Sequence, residues 1–119
     1  MSDKHIISAR PGFIRARNHG EKAISKTVII QAVRGDGDSW RYGLTATKKI
    51  GNAVVRNRVR RRLRAVAREI LAPIAISGVD YVFIGRATTA VSSWSALVTE
   101  VEKSLKYLHR KLGDAEKQG

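Results

Sequence analysis

The sequence contains no cysteine and only two prolines in 119 residues. Without cysteine there can be no disulfide, no thiolate nucleophile and no cysteine-built zinc site, which is compatible with a reducing compartment. No apolar run approaches the roughly 18 residues that a membrane-spanning helix needs, and the amino terminus has no signal-peptide core. A cytoplasmic protein with no membrane partner is therefore expected. Catalytic clusters are missing as well. The three histidines (His5, His19 and His109) lie far apart, without metal-ligand spacing, on a tail and two predicted helices. The ten acids are scattered. General acid–base chemistry needs such groups within hydrogen-bond reach, so they read as surface residues, and neither catalytic nor metal-ligating side chains are expected.

The most informative absence is local. From Lys48 to Arg68 the chain carries nine of its 23 Lys and Arg residues and no carboxylate; the next acid is Glu69. Apolar residues at Val55, Val59, Leu63, Val66, Ile70 and Leu71 follow the spacing of a helix with one buried stripe. Seven arginines cover the rest of that cylinder. A solvated charged face, the ordinary explanation of a charge run, mixes signs at i, i+4, because like pairs there cost about 0.2–0.5 kcal/mol. Here Arg60, Arg64 and Arg68 form one like-charged row, and Arg58 with Arg62 another. Together with a net charge of +13 and a pI near 11.0, this points to a polyanionic partner. Arginine suits phosphate, since its planar fork makes two parallel hydrogen bonds. A membrane-surface helix is the rival reading, but the stripe has no interfacial Trp or Phe.

The chain length suits one domain, residues 1–119, with a mobile lead-in over 1–7 and a polar tail over 113–119. Hydrophobic residues make up 43%, which is ordinary for a globular chain. Ser8 is a candidate cap for a short helix with Pro11 in its first turn and Gly20 at its end. After a connector over residues 21–26, Thr27–Val33 reads as a strand of branched residues. A turn over residues 34–39 should fold it into a hairpin with a second strand, Trp40–Thr47. The basic helix begins near Asn52, a plausible N-cap after Gly51, and stops at Pro73. Val79–Gly85 is a third strand. Ser92 and Ser93 are N-cap candidates for a last helix with the stripe Trp94, Leu97, Val98, Val101, Leu105 and Leu108, ended by Gly113. The order α-β-β-α-β-α defines an α+β fold with helices on one mixed sheet.

The run Lys48-Lys49-Ile50-Gly51-Asn52-Ala53-Val54-Val55-Arg56-Asn57-Arg58-Val59-Arg60-Arg61 resembles the signature of the bacterial ribonuclease P protein family. That family carries an Arg-Asn-Arg helix entered through a Lys-Lys-x-Gly-Asn-Ala turn. The resemblance implies a small subunit that binds the catalytic ribonuclease P RNA, one to one, and helps it remove 5′ leaders from precursor tRNA. The chemistry would then belong to the RNA and its Mg²⁺. The resemblance also implies the rare left-handed strand–helix–strand crossover of the ribosomal protein S5 domain 2-like fold, where the general rule expects a right-handed one. On this reading Lys48, Lys49, Asn52, Arg56, Asn57, Arg58, Arg60, Arg61, Arg64 and Arg68 contact RNA. Asn57 suits a base edge or a 2′-hydroxyl, the alternative being a local cap. Phe13, Arg17, Ile29 and Gln31 would line a cleft for the single-stranded leader. Family members often carry aromatic residues where Arg17 and Gln31 stand, so base stacking falls to Phe13, helped by the guanidinium plane of Arg17. A small ribosomal or other structural RNA-binding protein is the alternative. A DNA-binding helix module is disfavoured, since it would need a helix where a strand is predicted.

Overall fold

The computed structural model describes residues 5–7, 10–35 and 37–118. Four strands form one mixed sheet: β1 (Glu21–Ile24), β2 (Val28–Arg34), β3 (Arg41–Thr45) and β4 (Val79–Gly85), in the order β1-β2-β4-β3. Neighbours pair antiparallel except β3 and β4, which are parallel. Helices α1 (Arg10–His19), α2 (Ala53–Val66), the short α3 (Ala87–Val91) and α4 (Trp94–Gln118) complete the fold.

The near-continuous apolar runs of β2 and β4 follow from their central positions, because both faces of these strands are covered. On one face Val28, Ile30, Ala32, Tyr81 and Phe83 join Val59, Leu63 and Val66 of α2 and Leu97, Val101, Leu105 and Leu108 of α4 in the main core. On the other face Val33 and Val82 pack with Ile7 and with Ala16 of α1, flanked by Phe13 and Ile84.

The expected hairpin between residues 27–33 and 40–47, which contribute β2 and β3, does not form. β4 lies between β2 and β3 and pairs with both, Gln31 facing Val82 on one side and Gly43 facing Val82 on the other. Skipping one strand spans about 10 Å, twice the interstrand spacing, which a loop of several residues covers easily. Gly35 N–H donates to Gly78 O at 2.8 Å, tying that loop to the entry of β4. The hairpin partner of β2 is instead β1, made by the segment expected to be a connector; Ala23 faces Ile30 across it.

Three boundaries also differ. The lead-in is docked where it is described: Ile7 N–H donates to Tyr42 O and Tyr42 N–H to His5 O, both at 2.7 Å, and Ile7 is buried. Ser8 lies outside the described residues, as do residues 1–4. Gly113 does not end the last helix, which continues to Gln118. The basic helix ends its α-helical part at Val66 and passes into a single π turn, Ala67–Leu71, closed by Ala72 N–H to Ala67 O at 2.9 Å. The extra residue lets Ala67 and Leu71 both stay buried while Arg68 and Glu69 face solvent.

Candidate nucleic-acid interface

Entry into α2 is built as its sequence suggests. Lys48–Ile50 forms one 3₁₀ turn, with Lys48 and Lys49 exposed. Gly51 follows at φ 150°, where a Cβ would meet Val55 Cβ at 2.9 Å, so glycine is required both by conformation and by space. Asn52 Oδ1 then accepts from Val55 N–H at 3.0 Å. Asn52 is therefore the N-cap, which removes the capping alternative for Asn57. Asn57 is exposed on the helix surface.

The arginines divide by what already holds them. Asn57, Arg60, Arg61 and Arg64 surround a shallow concavity of about 420 Å³ floored by Val54. Arg60 Nη1 donates to Asn57 Oδ1 at 3.3 Å and its Nη2 to Ala46 O at 3.4 Å, so its fork is oriented along the surface. Arg58 and Arg61 line a second hollow on the next flank, with Arg62, Ala65 and Trp94. Arg62 is occupied internally: its Nη1 donates to Thr89 O at 2.8 Å and Ser92 O at 2.7 Å, fastening the α3–α4 corner to α2. Arg56 is half-buried, its Nε enclosed without a partner. Arg68, exposed in the π turn, lines neither hollow.

The predicted cleft residues meet on the other face of the sheet. Phe13, Arg17 and Gln31 line a groove of about 200 Å³ with Arg10, Ile14, Thr45, Val82 and Ile84. Ile29 is not among its walls, but it faces the wall residue Ile84 across β2 and β4. Phe13 is half-buried, and its ring lies on Gly43, where a Cβ would meet Phe13 Cε1 at 2.5 Å. Sequence reasoning misses Arg10, Ile14 and Thr45. The first two carry a signal: 10, 13, 14 and 17 are i, i+3, i+4 and i+7 on one helix face.

The two regions adjoin at the end of β3. Thr45 lines the groove, the carbonyl of Ala46 receives Arg60, and Lys48 and Lys49 follow within one turn.

His19 is exposed as expected, whereas the other two histidines and one acid are less superficial. His5 stacks on Trp40 at 4.1 Å between ring centroids, with its Nδ1 2.8 Å from Trp40 O. His109 Nε2 lies 2.7 Å from Tyr81 Oη. Asp80 is 1% exposed and receives Arg41 through two bonds of 2.9 and 2.6 Å. None of these lines the groove or the hollows on α2. Among the described residues no three His, Asp or Glu side chains converge as a donor set for a cation.

An α+β domain with an acid-free arginine helix beside a sheet groove flanked by arginines defines a small RNA-binding protein. The Ribonuclease P family model matches residues 1–109, and the chain belongs to that family. Similar proteins named "Ribonuclease P protein component" include one from Gluconacetobacter diazotrophicus, 42% identical, covering 89% of this chain and 93% of that one. Another, from Bacillus cereus, is 35% identical over 95% of both chains. Solved structures of the RNase P proteins of Staphylococcus aureus and Thermotoga maritima share the fold. Their TM-scores are 0.74 and 0.72, at 23% and 20% identity, covering 88% and 90% of this chain and 95% and 97% of theirs. In this chain β3–α2–β4 is the strand–helix–strand unit, its two strands parallel neighbours, to which the resemblance assigns the left-handed crossover.

Proposed function

We propose that this protein lays the exposed face of α2 on the ribonuclease P RNA, one copy per RNA, and holds the 5′ leader of precursor tRNA in the groove under α1. As a member of its family it is the protein component of the ribonucleoprotein endonuclease that matures tRNA 5′ ends. The observation that carries the division of labour is the junction at the end of β3. There Thr45, in the wall of a groove that also has Arg10 and Arg17, is followed by Ala46, whose carbonyl receives Arg60 of α2.

Each part does what its chemistry allows. Asn57, Arg58, Arg60, Arg61 and Arg64 neutralise RNA phosphates, and the exposed N–H groups at the start of α2 add to that anion site. Phe13 offers its ring to an unpaired base, a contact worth about 1–3 kcal/mol, and Gln31 offers donor and acceptor atoms beside it. Mg²⁺ is held mainly by the RNA, which performs the hydrolysis in the cytoplasm. The protein replaces part of the counterion charge that folding and substrate docking require.

The test is cleavage of a precursor tRNA by protein alone, by the organism's own RNA subunit alone, and by both. Protein alone is inert. The pair cuts at the mature 5′ end at lower Mg²⁺ than the RNA by itself, and Phe13→Ala weakens binding of precursor while leaving mature tRNA unaffected. Specific cleavage by RNA-free protein overturns the reading.

A further inference from the structure

Trp94 is 38% exposed although it begins the buried stripe of α4, whose later members Leu97, Val101, Leu105 and Leu108 are fully enclosed. An indole left open at the end of a core stripe is ordinary by itself. Its surroundings are not. Trp94 forms one wall of a hollow of about 330 Å³ whose other walls are Arg58, Arg61, Arg62 and Ala65 of α2. That volume is at the small-ligand end of the range of about 300–1,000 Å³ for ligand sites. The position is held rather than incidental. Arg62 spends one guanidinium nitrogen on Thr89 O and Ser92 O, fixing the corner from which α4 starts. Ser93 Oγ accepts from Ala96 N–H at 3.1 Å and so caps the first turn of α4, in which Trp94 stands. Ala65, with its single methyl, leaves space over that part of α2.

Two features of this hollow indicate an occupant. Two of its cations, Arg58 and Arg61, belong to the surface proposed to meet RNA phosphate, and Arg61 lines both this hollow and the Asn57 concavity. Among the described residues no cation is seen over the indole, as Lys111 is over Tyr107. An aromatic face flanked by guanidinium groups is the arrangement that receives an unpaired nucleobase, the ring stacking on the base and the arginines holding its flanking phosphates.

We propose that Trp94 is a second base-stacking platform, separate from Phe13. It would accept a single unpaired nucleotide of the RNA subunit, with Arg58 and Arg61 on the adjoining phosphates. This rests on the reading of α2 as the face turned to that RNA, and it adds a preference: this flank recognises a bulged or looped nucleotide rather than a continuous duplex.

The experiment uses the full chain with Trp40→Phe, in which Trp94 is the one remaining tryptophan. Indole emission is followed while titrating the organism's ribonuclease P RNA, a short oligouridylate and a blunt RNA duplex, with binding measured in parallel by filter retention. Stacking quenches Trp94 with the first two and leaves it unchanged with the bound duplex. Trp94→Ala and Trp94→Leu each lose about tenfold in affinity for the RNA subunit with an unchanged salt slope, because no ion is released by stacking. Trp94→Phe recovers most of that loss. Trp94→Leu keeps apolar cover without an aromatic face, so it separates stacking from folding. RNA that binds without changing Trp94 emission, or wild-type affinity in Trp94→Leu, overturns the platform while leaving the arginine surface intact. Failure of the wild-type protein to retain any RNA overturns both.

Discussion

At the scale of single residues, the polar pairs inside the sheet set a pH dependence unrelated to RNA. Tyr81 Oη accepts from Ile76 N–H at 3.1 Å and lies 2.7 Å from His109 Nε2, an arrangement that suits a neutral imidazole accepting the phenol proton. Burial lowers the His109 pKa below its ordinary 6.5. Burial also raises that of Tyr81, opposed by the Ile76 hydrogen bond and by the charge of Arg34, so the phenol keeps its proton at any neutral pH. With the folded-state pKa of His109 depressed, the unfolded chain takes up the proton first. Stability is therefore fully present above pH 6.5 and declines as pH falls below it, until the folded-state value is passed. Thermal melts between pH 7.5 and 5 should show a larger fall in Tm for wild type than for His109→Gln. Comparing the two chains cancels every contribution common to both. Equal slopes would mean that His109 titrates as if in water.

At the scale of elements, α2 is where charge and core coincide, and its residues are separable by salt dependence. Arg61 touches both hollows and is exposed, whereas Arg62 is bound to the α3–α4 corner. Arg61→Ala should weaken RNA binding and lower the log–log salt slope by about 0.7–0.9, the change that follows when one phosphate is no longer neutralised. Arg110→Ala, exposed on α4, should change neither. The same element shows why parts of the fold are legible in the sequence. The buried stripe, the Asn52 cap and the glycine at Gly51 are local signals, each decided by neighbours within a turn, and the structure has all three where the sequence puts them. Pairing of β2 with β4 rather than β3 depends on a strand some fifty residues downstream, and the local pattern carries no trace of it. β1 escapes a sequence reading for a related reason: a short edge strand with two charged residues, Glu21 and Lys22, resembles a loop until its partner is known. The groove is half legible. Phe13, Arg17 and Gln31 come from family resemblance and Arg10 shares their helix face, whereas Thr45 joins the groove only because β3 pairs with β4, on which α1 packs.

At the scale of the whole molecule, the arginine surface should govern folding as well as binding. Nine cations within 21 residues and a net charge of +13 disfavour the compact state by self-repulsion. Arg62 is satisfied by carbonyl groups, and Arg60 by a carbonyl and an amide, so the helix has no bonded acid to relieve it among these contacts. An anion that binds only the folded form stabilises it by RT ln(1 + [L]/Kd), which rises with concentration and depends on the identity of the anion. Sulfate or phosphate should therefore raise Tm well above chloride at equal ionic strength, because simple screening treats the salts alike. Exclusion of sulfate from protein surfaces acts in the same direction, but it grows steadily at high concentration. Binding in the Asn57–Arg64 concavity should instead saturate in the millimolar range. The deciding comparison is a melting series at low sulfate for wild type and for Arg61→Ala/Arg64→Ala. The double variant should start from a higher Tm in chloride, since two like charges are gone, and gain less from sulfate. If both chains gain equally, the stabilising anion does not sit on this helix, and the repulsion along α2 is relieved by diffuse counterions alone.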